Sequence, residues 1–309
     1  MAVDLSPIDE SLLATIANLH GMPKGAFNIR RDGKLVERHS SAYIDIETQS
    51  DHPGINVRVK PGTKGESVFI PVIITQSGVK DVVYNDFYIG EDCDIEIIAG
   101  CGIHNDSHKS SQHDGIHTFH IGKNSRIKYI EKHYGEGEGT GTRILNPVTK
   151  VYMDENSYCD MDMIQLRGVS STVRDTTAKL AAGAKLVITE RLLTHDDQTA
   201  ESNLNIELEG DDSSVQIISR SVAQDRSRQV FNPLVVGKAA SRGHVQCDAI
   251  IMGDARVKSV PAIEAESPDA ILMHEAAIGK IAGDQITKLM TLGLTEEEAE
   301  QEILDDFLS

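Results

Sequence analysis

The chain has 309 residues, with 48 Asp and Glu against 30 Lys and Arg, and a formal charge of −18. That sign repels backbone phosphates and anionic lipids, which argues against nucleic-acid and membrane-surface partners, and no apolar run approaches the ~20 residues of a membrane span. Four scattered cysteines without a CxxC pair point to free thiols, and the acidic start MAVDLSPIDE lacks an apolar leader segment, so a cytoplasmic location is expected.

Ser6-Pro7-Ile8-Asp9 reads as a helix N-cap followed by Pro at the first helical position. Ile8, Leu12, Ile16 and Leu19 then fall on one stripe that ends near Gly21, predicting a short helix packed on the body. Residues 22–55 are turn-rich with single apolar pairs, as expected of strands leading into a main domain. Residues 1–55 therefore form an N-terminal segment.

From about Val57 to Met273 the chain shows strand runs and almost no helical stripe. Small or turn-forming pairs recur at Asp92-Cys93, Asn124-Ser125, Asn156-Ser157, Gly183-Ala184, Asp212-Ser213, Ala240-Ser241 and Asp269-Ala270. Their spacings are 32, 32, 27, 29, 28 and 29 residues. Near-constant spacing in this range marks a solenoid whose repeats bury their faces on one another. With strands in place of helices, the fold class is mainly β, a parallel β-helix core over residues 56–283.

Several stretches of this core carry candidate chemistry. Cys101, His104, His108, His113, His117 and His120 fall within 20 positions, but their spacing matches no standard zinc pattern; His104, His108 and His113 read as solvated histidines of a polar loop. GEGEGTG (135–141) has the glycines of a phosphate loop without its lysine or its strand-to-helix setting, and reads as a mobile turn. Cys93 and Cys159 sit beside strand positions and are most simply packing residues. In 244–251 the residues alternate, with Val245, Cys247, Ala249 and Ile251 on one face and His244, Gln246 and Asp248 on the other, the period of a half-buried strand. Read from that alternation, Cys247 is a small core hydrophobe. A His274-Glu275 pair follows about 27 residues later.

After Ile281 the pattern turns helical, with a short piece over 284–290 stopped at Gly293. Thr295 and Glu298 form a capping box, followed by an apolar stripe of Ala299, Ile303 and Phe307 with Leu304 and Leu308 beside it. This C-terminal helical segment covers 284–309.

QCD (246–248), HEAAIGKI (274–281), YNDFYIG (84–90), AGCGIHN (99–105), GIHTFHIG (115–122), Ser219-Arg220 and LGLTEEEAE (292–300) occur in the order found in the SufB/SufD family. The chain resembles a compact, single-subunit form of that family from about residue 25 onward. The resemblance implies a parallel β-helix and a non-catalytic scaffold on which an iron–sulfur cluster is transiently assembled. Cys247, His274 and Glu275 match the family's cluster-assembly motifs and supply a thiolate, an imidazole and a carboxylate, all iron ligands. Cys101 and His117 lie in shared motifs and are candidates for auxiliary sulfur or iron residues. A SufC-like ABC ATPase is implied as a partner, docked by the terminal helices through Leu294, Ala299, Ile303, Leu304 and Phe307. A homodimer joined through the β-helices, a sulfur donor and apo-protein acceptors complete the expected partners. The alternatives are a metal-free β-helix adaptor and, disfavoured by the missing leader, a polysaccharide-acting β-helix enzyme.

Overall fold

The computed structural model describes residues 5–308, which wind into a β-solenoid of about eight turns with helices at its two ends. Two sheets face each other across a side-chain-filled bore. One runs from Lys34–His39 and Ala26–Arg31 through Lys64–Ile74, Asp94–His104, Arg126–Glu136, Tyr158–Gln165, Lys185–Thr194, Ser214–Ala223 and Arg242–Ile251 to Ile271–Gly279. The other runs from Ile44–Thr48 and Gly54–Val59 through Lys80–Ile89, Ser111–Ile121, the broken pair Arg143–Leu145 and Val148–Met153, Ser171–Leu180, Thr199–Leu208 and Arg228–Gly237 to Arg256–Ser259 and Ala262–Ala265. All pairings are parallel except two hairpins at the N-terminal end, Ala26–Arg31 with Lys34–His39 and Ile44–Thr48 with Gly54–Val59.

The recurrent turn pairs form one corner of every coil. Asp92, Asn124, Asn156, Gly183 and Asp212 all have φ between 56° and 67°, the left-handed region that Gly, Asn and Asp enter at least cost. Their amide groups donate to carbonyls of the next coil, Asp92 to Lys123 at 2.9 Å and Asp212 to Ala240 at 2.8 Å. The residue that follows each turn points inward and is small and buried: Cys93, Ser125, Ser157, Ala184, Ser213 and Ser241. Ala240-Ser241 and Asp269-Ala270 keep the spacing without the left-handed residue. A second ladder at the opposite edge, Asp196, Asp225 and Gly253, escapes the repeat search.

The helix Pro7–Ala17 (α1) is closed by a capping box between Ser6 and Asp9. It buries Leu12, Leu13 and Ile16 on the outer face of Lys64–Ile74, Asp94–His104 and Arg126–Glu136. The glycines of AGCGI permit that approach: a Cβ on Gly100 would stand 2.9 Å from the Ile16 carbonyl, and one on Gly102 would stand 3.1 Å from Leu12 Cδ2. The same alternation turns Cys101, between them, into the bore.

Candidate functional site

Cys247 lies in the strand Arg242–Ile251, where Gly243, Val245, Cys247 and Ala249 face the bore and His244, Gln246 and Asp248 face outward. The expected alternation therefore holds through Ala249. The thiol is 1% exposed and belongs to the main core cluster. Burial pushes it above its ordinary value, and the nearby carboxylates of Asp248 and Glu190 add to that rise.

The neighbouring strand Ile271–Gly279 ends the sheet, with His274 in register beside Val245, Glu275 beside Gln246 and Ala276 beside Cys247. Adjacent strand residues point to opposite faces. His274 thus shares the bore face with Cys247, one strand over and two residues upstream. Glu275 points outward, where its Oε1 lies 3.1 Å from His244 Nε2. The expected triad is divided: the structure brings Cys247 and His274 to one face and places Glu275 on the other. Nothing among the described residues covers this last coil, so the bore-facing Ile263 and Ile278 stay exposed, while Ile271 and Met273 stand exposed on its outer face.

Cys101 and His117 sit five coils away, inside the bore. Both are buried, and with His113, Glu131 and His133 they line a cavity of about 10 Å³, at the lower limit for one water. The polar groups here are joined in sequence. Asn85 Nδ2 donates to His117 Nε2 at 3.3 Å, His117 Nδ1 donates to the Tyr129 hydroxyl at 2.8 Å, and that hydroxyl donates to Glu131 Oε1 at 3.0 Å. Arg174 pairs with the other Glu131 oxygen and reaches His133 Nδ1 at 3.4 Å. Burial lowers His117 to about 4 and His133 to about 3, so both rings are neutral, and burial pushes the Cys101 thiol well up. Desolvation raises the Glu131 carboxyl, but attraction to Arg174, its hydrogen bond and the neighbouring His133 and His117 together outweigh that and hold it far below the usual range. In-register pairing then lines up Glu131, Met163, Glu190, Ser219 and Cys247 along one wall of the bore. Charged interior residues escape a search for metal spacings, although period-two alternation already places Glu131 and His133 on the face of Ile127 and Tyr129.

Three readings are corrected. His113 is not a solvated loop histidine: it lies in Ser111–Ile121, is buried, and has Nδ1 3.2 Å from Asp81 Oδ2. His104 is half-buried between Glu136 and Asp106, and only His108 of the three is exposed. The glycine-rich turn is stacked on the preceding coil, Gly139 donating to the Asn105 carbonyl at 3.0 Å and Gly141 to that of Ser107 at 2.8 Å. Cys93 and Cys159 are buried packing residues as expected. Among the described residues, three ligand-type groups converge within 4.8 Å only at His195, Asp196 and Asp225; there the ring nitrogens of His195 already face Asp196 and Gln198.

Two helices follow the last strand, Gly283–Thr291 (α2) and Glu296–Leu308 (α3). Thr295 and Glu298 make the expected capping box. Ala299 and Leu304 are buried within the chain, where α3 meets α2 and the strand Ser214–Ala223. Leu294, Ile303 and Phe307 remain half-buried, and Leu292 is 74% exposed.

A family model described as "SUF system FeS cluster assembly, SufBD core domain" matches residues 86–307. The chain is similar to proteins named as iron-sulfur cluster assembly SufBD family proteins. The one from Methanocaldococcus jannaschii is 27% identical over 292 residues, covering 93% of this chain and 90% of that protein. The one from Archaeoglobus fulgidus is 25% identical over 277 residues, covering 89% and 73%. One from Pyrococcus horikoshii is 26% identical over 273 residues, covering 83% and 82%. No helix among the described residues is long and apolar enough to cross a membrane.

Proposed function

This chain belongs to the SufBD family of iron–sulfur cluster assembly proteins, and from that premise we propose that it is a non-catalytic scaffold on which the cluster is built and handed on. The observation that carries this reading is the placement of Cys247 and His274 on one bore face of an uncapped last coil. One chain supplies a thiol and an imidazole there, too few donors for a closed four-ligand site. The exposed edge strand and its apolar neighbours suit a second copy of the chain, which would double the donor set around the cluster as cargo. Glu275 joins such a site by leaving His244. Cys101 and His117 serve as auxiliary residues in the bore. A SufC-like ABC ATPase would engage the half-buried Leu294, Ile303 and Phe307 of the terminal helices and drive the opening and closing of the site.

The test is anaerobic reconstitution with iron and sulfide, followed by metal and acid-labile sulfide analysis per chain. Wild type should load a cluster, and Cys247→Ala should lose it while melting near the wild-type temperature. A Cys247→Ala protein carrying a normal cluster would sink the proposed site.

A further inference from the structure

The two walls of the bore face each other in a repeating way across the turns that join them. Glu190 and Ser202 are partners across the bore, the Ser202 hydroxyl donating to Glu190 Oε1 at 2.7 Å. One coil earlier, Arg174 Nη1 reaches Met163 Sδ at 3.2 Å. Parallel register carries both walls forward without a shift. Met163, Glu190, Ser219 and Cys247 are stacked neighbours on one wall, and Arg174, Ser202, Phe231 and Ser259 are stacked neighbours on the other. From Glu190 with Ser202 through Ser219 with Phe231 to Cys247 with Ser259, the facing residues are twelve positions apart in every coil. Two coils beyond the Ser202–Glu190 hydrogen bond, the same geometry puts a serine hydroxyl opposite the Cys247 sulfur.

We infer that Ser259 is a positioning residue for Cys247, its hydroxyl donating a hydrogen bond to the sulfur in its anionic forms and aiming that sulfur along the bore. The inference rests on the reading of Cys247 as the site cysteine. Ser259 Oγ is enclosed and has no hydrogen-bond partner, and it is near enough to the Cys247 thiol to influence its charge. A buried hydroxyl without a partner is costly in a structure at rest. A sulfur that gains negative charge when it acts as nucleophile or ligand gives it the partner it lacks, in a charge-assisted bond. On the Cys247 wall itself, the in-register neighbours are Ser219, in the preceding coil, and Ala276, which has no polar side-chain atom.

The test compares Ser259→Thr with Ser259→Val in the full-length, iron-free chain, two variants of the same shape of which only one keeps a hydroxyl. Reaction of Cys247 with iodoacetamide at one fixed pH is followed by peptide mass spectrometry, with Cys93 and Cys159 in the same sample reporting any general loosening. The expected result is that Thr retains the wild-type rate while Val slows Cys247 about tenfold and leaves the two reference thiols unchanged. Equal rates for Thr and Val would overturn the inference, and so would a slowing shared by all the cysteines. The measurement needs no cluster, so it separates the two claims. Failure of Cys247→Ala to abolish loading refutes the scaffold site, whereas equal Thr and Val rates refute only the role of Ser259.

Discussion

His244 holds Glu275 on the outside of the last coil, Nε2 to Oε1 at 3.1 Å, while His274, its neighbour in sequence, faces the bore beside Val245. Two residues adjacent in the chain are thereby given different environments. His274 is available to a cluster at Cys247 as it stands, whereas Glu275 must first break a hydrogen bond and rotate its side chain.

His274→Ala should therefore lower iron and sulfide per chain more than Glu275→Gln does, and His244→Ala, which frees Glu275, should not lower them. Metal and sulfide analysis of the three variants under identical reconstitution checks this ordering. Loading that depends on Glu275 and not on His274 would reverse the assignment.

Arg174 lies between two buried carboxylates, paired with Glu131 and coulombically coupled to Glu190. Arg174→Met leaves Glu131 charged and uncompensated, so it should cost about 3–5 kcal/mol. Adding Glu131→Gln to the same chain removes that charge and should recover most of the loss. Urea unfolding of the single and double variants measures both effects, and additive losses would refute the pairing.

Stability should fall as the solution is acidified from pH 7 to 5. His117 and His133 are neutral in the fold, held down to about 4 and about 3 mainly by burial, but take a proton near pH 6.5 when the chain is unfolded. A depressed group of this kind stabilises fully above its unfolded value and loses that contribution as pH drops toward its folded value. At pH 5 the loss is about 2 kcal/mol per histidine. Glu131, also depressed, withdraws its share only below the unfolded carboxylate range, near ~4.3. His133→Gln should remove about half of the pH 7-to-5 change in denaturation midpoint, and a midpoint equal at the two pH values would contradict the buried neutral rings.

The terminal helix divides its apolar residues between two tasks. Leu304 is anchored on the body, so Leu304→Asp should release α3 at a cost of roughly 1.5–3 kcal/mol and expose it to limited proteolysis. Phe307→Asp, at a half-buried position, should leave proteolysis unchanged while abolishing co-purification with a SufC-like ATPase. Retention of the ATPase by Phe307→Asp would confine the helix to a packing role.

Much of the solenoid is legible in the sequence because its corner turns need residues that tolerate a left-handed backbone, and Asp92, Asn124, Asn156, Gly183 and Asp212 announce themselves by type and spacing. Of the two hairpins near the N-terminus, the first carries its signal in Asp32-Gly33, both left-handed and typical of a two-residue hairpin turn, whereas the second shows only single apolar pairs and takes the rest of its burial from the sheet. His113 is misplaced for a related reason. Its strand turns Ser111, His113, Gly115 and His117 into the bore, so the inward positions carry the polarity of a loop. The face of Cys247 follows from alternation alone. The separation of His274 from Glu275 would follow from the same rule, but only once 271–279 is recognised as a strand, and its exposure on both faces hides the hydrophobic signal that normally reveals one.

Register has one more consequence. Glu131, Met163, Glu190, Ser219 and Cys247 continue the row that passes through Ala99, two residues from Cys101, so the two thiols stand five strand spacings apart, about 24 Å. That separation can change only in discrete notches. Removing one whole coil would shorten it by about 4.8 Å and leave both sulfurs facing inward, whereas removing a single residue ahead of Cys247 would turn its sulfur to solvent. The solenoid acts as a caliper whose jaws move by coils, and any relative that sets these two cysteines at another distance must differ from this chain by complete turns.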